Sequence, residues 1–276
     1  MTHPLRTTAV VSLTVLVAIL AGAFVFRPAP QTRDVKARAG EFSLDGPYAY
    51  SVEYLGVTCG LMTLESRLED YRGKPAYHVV MTARNSKFFN KIYRVDGRID
   101  SWVDPETMTT IAYESDITEK GERKIRRYEV DRENGVVLAD KHGEQGTFPY
   151  DGRPALDPLA FVYRGRVLAE PGVESFSLNA LSDRGVIETV SIVGERKRFS
   201  TYDGKRELLR VQPMPADSEM FSRKGEFVYW IDPGPTRTLY RIDFKLGFGK
   251  LLAKLKGPAT GPADRRMTGA SESDDD

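Results

Sequence analysis

The sequence predicts an all-β protein, mainly antiparallel, built as one large curved sheet or open β-barrel with one short helix. Many segments alternate apolar and polar residues with a period of two. Turn-forming residues separate these segments at spacings of about 8 to 15 residues. Extended helical periodicity is absent from the body of the chain. About twelve or more strands in one unit favour a curved sheet, since flat sheets of that size are unusual.

The N-terminus, residues 1–26, is either a signal peptide or a membrane anchor. Ala9–Phe26 carries no charge and is roughly 27 Å long as a helix, nearly enough to span a bilayer. The small residues at Ala21–Ala23 suit cleavage after Ala23. The basic flank Arg27–Arg38 favours a cytoplasmic body by the positive-inside rule, but the short tail before the apolar run is typical of a signal. We therefore expect a periplasmic body, soluble or tethered to the inner membrane by this segment.

Three further regions follow the leader. Residues 27–40 contain prolines and charges without apolar periodicity, which predicts a linker. Residues 41–256 are expected to form a single β-rich domain. Residues 257–276 are rich in Gly, Pro and acidic residues, which predicts a disordered tail.

The body begins with a predicted hairpin. Tyr48, Tyr50, Val52 and Tyr54 alternate along one strand, and residues 56–60 separate them from the second strand at 61–64. The same reasoning predicts further strands at 76–83, 91–103, 108–118, 124–131, 136–140, 173–181, 186–193, 196–202, 206–213, 226–232 and 237–245.

One helix interrupts the strands. Asp157 has the residue type of an N-cap, and Pro158 suits the first helical position. The spacing predicts a helix over about 157–165. Residues 245–256 fit either a last strand or a short basic amphipathic helix.

Several of these segments occur in an order that resembles a known family. They are Tyr48-x-Tyr50-x-Val52-x-Tyr54-Leu55-Gly56-Val57-x-x-Gly60, Ile92–Val95, Ser101–Thr107, Asp157-Pro158-Leu159-x-x-x-Tyr163-x-x-Arg166 and Val228–Asp232. Together they resemble the bacterial exported family called domain of unknown function 3108, over about residues 45–255. The resemblance implies an exported, β-rich, barrel-like domain of the cell envelope and supplies no catalytic residues. The chain departs from the family pattern at Leu246–Gly249, where a Gly-Ser pair is expected.

Composition removes most familiar catalytic designs. The 40 Lys and Arg against 39 Asp and Glu give a net charge of +1, so no nucleic-acid partner is expected. Cys59 is the only cysteine, which excludes an intrachain disulfide and a thiolate metal cluster. It is either a small hydrophobic residue in a hairpin or a nucleophile with His78 as its base. We expect no metal, no cofactor and no catalytic residue.

Acidic and basic groups have structural as well as functional interpretations. The aspartates at 96, 100 and 104 and at 151 and 157 offer pairs for a carboxylate-based hydrolase. Asp96, Asp104 and Asp157 each precede Gly or Pro, so turns and a helix cap explain them more simply. The basic run Glu122–Arg127 is expected on a solvated strand edge, and Glu195–Arg198 beside a turn.

The aromatic residues give the leading functional hypothesis. Tyr48, Tyr50 and Tyr54 share a strand face and, with Trp102, either line a ligand pocket or form barrel core. We expect a non-enzymatic periplasmic protein that binds a lipid, a glycan or an envelope partner. The alternatives are a carboxylate-based envelope hydrolase and a purely structural scaffold.

Overall fold

A computed structural model describes residues 44, 46–86, 95–119, 122–182, 185–215, 226–246 and 249–259. The leader, the linker, most of the predicted tail and the segment 87–94 lie outside the described residues. Fifteen strands and one helix, α1, form from the described part of the chain. The helix is Pro158–Leu168. The strands, β1 to β15, are Tyr48–Tyr54, Val57–Tyr71, Lys74–Asn85, Val95–Val103, Thr110–Glu119, Glu122–Asp131, Val136–Lys141, Glu144–Pro149, Ala155–Leu156, Ser175–Ser182, Gly185–Thr201, Gly204–Pro215, Glu226–Ile231, Leu239–Leu246 and Gly249–Pro258.

All fifteen strands belong to one sheet, which confirms the predicted fold class. Its order is β8-β7-β6-β5-β4-β3-β2-β1-β15-β14-β13-β12-β11-β10-β9. Neighbours are antiparallel, except that β9 runs parallel to β10. Each half is therefore a meander, and the first and last strands pair at the centre, with Tyr48 opposite Pro258. Within the described residues, β8 and β9 have no hydrogen-bonded partner on their outer sides, so the sheet is not closed.

The first hairpin forms as predicted, with a tighter turn. Leu55 and Gly56 both have positive φ, +48° and +81°, and β2 starts directly afterwards at Val57. Gly tolerates this backbone conformation without steric cost, which makes a two-residue connection possible. The predicted separation over 56–60 was therefore too long.

Other boundaries also differ from the prediction, and the second strand of this hairpin, predicted at 61–64, extends over Val57–Tyr71. The strands predicted at 186–193 and 196–202 are one strand, β11, with a bulge between Val193 and Arg196 instead of a turn. The strands β8 and β9 were not predicted. Within 245–256, the described residues are strand: β14 ends at Leu246, and β15 begins at Gly249 and extends to Pro258, past the predicted end of the body.

The helix α1 explains why the sheet curves. The carboxylate of Asp157 accepts hydrogen bonds from the backbone N–H groups of Leu159 and Ala160, as predicted for an N-cap. All residues of α1 except Val167 are buried, and the helix contacts β3 and β4 in one half and β9 and β10 in the other. Strands far apart in the sheet order thus meet the same helix, which requires the sheet to wrap around it.

Side chains alternate between two faces of this wrapped sheet. We call the face that packs with α1 the inner face; it carries the hydrophobic core, including Tyr50, Met81 and Tyr229. The opposite, outer face carries most of the charged side chains of the strands. No helix among the described residues has the length and apolar character needed to cross a membrane.

Candidate functional site

The four aromatic residues predicted to bind a ligand lie on opposite faces of the sheet. Tyr50 and Tyr54 are buried in the core, and Tyr48 packs against it half-buried. The Tyr50 hydroxyl donates a hydrogen bond of 2.8 Å to the carbonyl oxygen of Leu239. These tyrosines therefore contribute to the core, while Trp102 lies half-buried on the outer face.

Trp102 borders a cavity of about 590 Å³ on the outer face, across β4–β8. We call it the outer groove. Strand register places Trp102 opposite Ala112, Ala112 opposite Glu129, and Glu129 opposite Leu138. The short side chain of Ala112 leaves space between its larger neighbours in this row. Pockets of this volume suit small-molecule ligands.

Ion pairs surround the groove on the same face. Arg72 Nη1 lies 2.6 Å from Glu129 Oε1. Arg127 binds Glu114 through two hydrogen bonds, of 3.0 and 3.1 Å, and lies 4.0 Å from Asp140. All these side chains are partly exposed, so the pairs add little to stability. They do present donors and acceptors along the groove wall.

The indole ring of Trp102 is held in position from several sides. It stacks on the ring of His78 with centroids 4.6 Å apart and planes at 11°. The Tyr71 ring lies at 4.8 Å and 30°. Trp102 Nε1 donates a hydrogen bond of 3.1 Å to Glu69 Oε1. A ring restrained in this way loses little conformational entropy when a ligand binds.

His78 connects this ring to a buried polar network. Its Nε2 lies 2.8 Å from Asp100 Oδ1, and its Nδ1 lies 2.8 Å from both Glu69 Oε1 and Arg67 Nη2. Burial disfavours ionisation of Asp100, but hydrogen bonds from His78 and Arg98 outweigh it and lower the pKa of that carboxyl. The side chain of His78 is only 4% exposed, so this network fixes the ring on which Trp102 stacks.

Cys59 and His78 do not form the nucleophile and base considered above. The Cys59 thiol is buried and donates to the carbonyl oxygen of Val52 at 3.4 Å. Burial raises its pKa to about 11, which leaves little thiolate at neutral pH. The buried position confirms the interpretation of Cys59 as a small core residue.

Asp157 is completely buried and has a capping role. Its carboxylate accepts hydrogen bonds from Ser101 Oγ at 2.5 Å and Thr110 Oγ1 at 2.7 Å, in addition to the helix amides. Burial raises its pKa, although these hydrogen bonds oppose the shift. Asp104 likewise accepts backbone N–H groups in the turn that follows it. Both observations confirm the structural explanation of these carboxylates.

The prediction that the basic run Glu122–Arg127 lies on a sheet edge was wrong. It forms β6, which lies between β5 and β7 and is not a sheet edge. Its outward arginines pair across to β5, Arg123 with Asp116 and Arg127 with Glu114. Cross-strand pairing, rather than protection of an edge, accounts for this charge pattern.

Sequence reasoning did not identify the other groove residues. Tyr71 and Arg72 lie at the β2–β3 turn, and Glu129 and Leu138 lie on separate strands. Only the register across four strands brings them beside Trp102. Leu138 is 44% exposed, but a single exposed apolar side chain is common on protein surfaces and gave no signal in the sequence. No group of three potential metal ligands occurs among the described residues.

Comparisons with known proteins agree with the fold. The crystal structure of a β-barrel-like protein of domain of unknown function DUF1849 from Brucella abortus matches with a TM-score of 0.54 and 13% identity, covering 78% of this chain and 97% of that one. A protein with a YmcC-like fold from Bacteroides fragilis matches with a TM-score of 0.29 and 9% identity, covering 80% and 99%. No curated protein matches significantly. The family described as protein of unknown function (DUF3108) matches residues 49–256.

Proposed function

The chain belongs to the DUF3108 family, and we propose that it is a non-enzymatic envelope protein that binds a saccharide in the outer groove. The observation that carries this proposal is the fixed ring of Trp102 beside paired arginines and carboxylates in a cavity of about 590 Å³. The groove is open to the surface, so a segment of a longer glycan would fit as well as a small sugar.

A saccharide matches the chemistry of the groove wall. Sugar hydroxyls both donate and accept hydrogen bonds, and the pairs Arg72–Glu129 and Arg127–Glu114 offer both kinds of partner. The part of the Trp102 ring that His78 and Tyr71 leave uncovered lines the groove together with Leu138, and both offer apolar contact to the C–H groups of a sugar.

A lipid is a weaker candidate for the same protein. An acyl chain needs a continuous apolar cavity, and the interior of the sheet is occupied by α1, whose Phe161 and Tyr163 are fully buried. The groove itself carries five charged side chains, which an acyl chain would desolvate without compensation.

The described residues do not offer the hydrolase alternative a suitable acid and base. Acid–base catalysis by two carboxyl groups requires that their pKa values be separated by their surroundings. Asp157, whose pKa is raised, is fully buried at the N-terminus of α1. In the groove, the carboxylates of Glu114 and Glu129 are each held by an arginine. This arrangement favours binding over hydrolysis.

Export is part of the proposal and is supported by the charge-free leader Ala9–Phe26. Alkaline phosphatase fused after Gly257 should be active, because that reporter folds only where disulfides form. A fusion that is inactive and cytoplasmic would show that the basic flank Arg27–Arg38 sets the orientation instead.

Binding is best tested on a glycan array that includes soluble peptidoglycan fragments, followed by titration of the strongest hit. Leu138→Ala and Trp102→Ala should each weaken binding, the tryptophan change by about 2 kcal/mol or more if it anchors the ligand. Leu68→Ala is the matched control, because Leu68 is 55% exposed and does not line the groove. Since Leu138 is largely exposed, its variant should keep the wild-type melting temperature. Equal affinities of the Leu138 variant, the control and the wild type would exclude the groove as the binding site.

A further inference from the structure

A second cleft lies on the outer face of the other half of the sheet. The strand β12 pairs with β13 only from Leu209 to Val211, so the tip of the β11–β12 hairpin leaves the plane of the sheet. The Phe199 ring meets Trp230 of β13 at 4.8 Å, and the Tyr240 hydroxyl donates to Asp203 of the tip at 2.9 Å. The tip thus covers β13–β15 and encloses a cavity of about 440 Å³.

Cationic side chains predominate in this cleft. Arg241, Lys254 and Lys256 line it, against the single carboxylate of Glu53. Register places Arg241 directly opposite Lys254, and like charges in that position destabilise a sheet. Arg241 pairs with Asp243 on its own strand, and Lys254 pairs with Glu53. These two pairs leave the charge of Lys256 uncompensated.

Lys256 is placed by an irregularity of the backbone. Between β1 and β15, Ala49 pairs with Gly257 and Tyr50 pairs with Leu255, so Lys256 is the extra residue of a bulge. Bulges commonly re-aim a side chain at a binding site. Lys256 is exposed and lines the cleft, and none of the described carboxylates pairs with it.

We propose that this cleft binds the phosphate group of an organic phosphate, with Lys256 as its principal contact. Lysine is a frequent phosphate ligand, and the charge of Lys256 is the one in this cleft that no described carboxylate neutralises. The cavity exceeds the needs of the phosphate alone, and Phe199, Tyr202 and Tyr240 line the remainder. The phosphate belongs either to a phospholipid headgroup or to a free phosphorylated metabolite. The proposal involves different residues from the outer groove and does not depend on saccharide binding.

The test uses the full chain in a neutral detergent and two soluble probes, glycerol 3-phosphate and dihexanoyl phosphatidylglycerol below its micelle concentration. Calorimetric titration should show saturable binding that weakens as sodium chloride is raised, because salt screens the attraction. Lys256→Ala should weaken binding about tenfold or more, the loss of one charge-assisted contact. Lys256→Arg should restore most of the affinity. Lys74→Ala, at an exposed position in the other half of the sheet, is the matched control and should bind as the wild type does.

The two probes separate the sources of the phosphate. Binding of the diacyl probe alone supports a lipid headgroup, and binding of both supports a free organic phosphate. Binding of neither probe, or equal affinity of the Lys256→Ala and Lys74→Ala variants, would overturn the proposal. Leu138→Ala should leave phosphate binding unchanged, so failure of the saccharide site and failure of this cleft are distinguishable.

Discussion

A side chain at Gly165 of α1 is predicted to destabilise the protein, because Tyr229 packs against this position. A Cβ atom at Gly165 would lie 2.4 Å from the Tyr229 hydroxyl and 3.4 Å from the Phe176 ring. Tyr229 is fully buried, so the hydroxyl has little freedom to retreat. Overpacking of this kind costs about 1 to 3 kcal/mol, against a gain of about 1 kcal/mol for alanine over glycine in a helix. The net effect expected of Gly165→Ala is therefore a loss of up to about 2 kcal/mol in the free energy of unfolding.

The matching change is Tyr229→Phe, which removes the hydroxyl. That oxygen has no hydrogen-bond partner among the described residues, and burial raises the pKa of the phenol above its ordinary value, with Arg166 opposing the shift. Removing a buried polar atom that has no partner should stabilise the protein by about 1 kcal/mol. In the Tyr229→Phe background the closest contact is gone, so Gly165→Ala should become neutral or stabilising.

Urea unfolding of the four proteins forms a double-mutant cycle. The midpoints should give a coupling energy of about 1 kcal/mol or more, with equal m values across the set. If Gly165→Ala is equally destabilising in both backgrounds, the steric explanation is wrong.

Four further predictions concern other parts of the fold. Asp157→Ala should destabilise by about 3 kcal/mol or more in urea unfolding, because it removes a helix cap and the acceptor of two buried hydroxyls; an unchanged midpoint would contradict the capping role. The pKa of Asp203 is lowered to about 2, chiefly by its hydrogen bond with Arg206, so its contribution to stability is complete above its ordinary value of 3.8 and is lost as pH falls toward 2. In the Asp203→Asn variant, the midpoint of urea unfolding should therefore depend less on pH in that window than it does in the wild type. The same pH dependence in both proteins would contradict this contribution of Asp203. Cys59 should react with Ellman's reagent at pH 8 far more slowly in the folded protein than in urea, and equal rates would refute its burial. A chain cleaved near residue 150 should yield no independently folded half, whereas two separate melting transitions would contradict a single cooperative unit.

Much of the fold was predictable because sheet strands leave a period-two signal in the sequence. The strand β1 alternates from Tyr48 to Tyr54, and its predicted and observed bounds coincide. The Asp157-Pro158 pair predicted the start of α1, since a cap depends on adjacent residues only. The end was placed early, before Leu168, because a helix buried on all sides lacks an amphipathic pattern.

The errors arose where local chemistry has two structural outcomes. Turns and bulges both need unusual backbone geometry, and glycine suits either of them. Gly194 was predicted in a turn, but it lies in the bulge of β11. The strand β8 is polar and almost wholly exposed, so it shows no alternation. The candidate site depends on register across β4–β8, and a bulge after Trp102 shifts that register. Trp102 was identified, but its separation from Tyr48, Tyr50 and Tyr54 on the other face was not predictable from spacing.

The pairing of β1 with β15 has a consequence for folding kinetics. These strands are about 200 residues apart in the chain, and such non-local contacts slow folding because loop closure must precede them. Tyr48 lies directly opposite Pro258, so a short hairpin loop would join the two strands. Consider a circular permutant in which this loop connects Pro258 to Tyr48 and the new termini lie between Pro149 and Ala155. In that chain, every pair of antiparallel neighbours in the sheet would be consecutive in sequence. The same structure would then have a much lower contact order, and we expect it to fold faster than the natural chain.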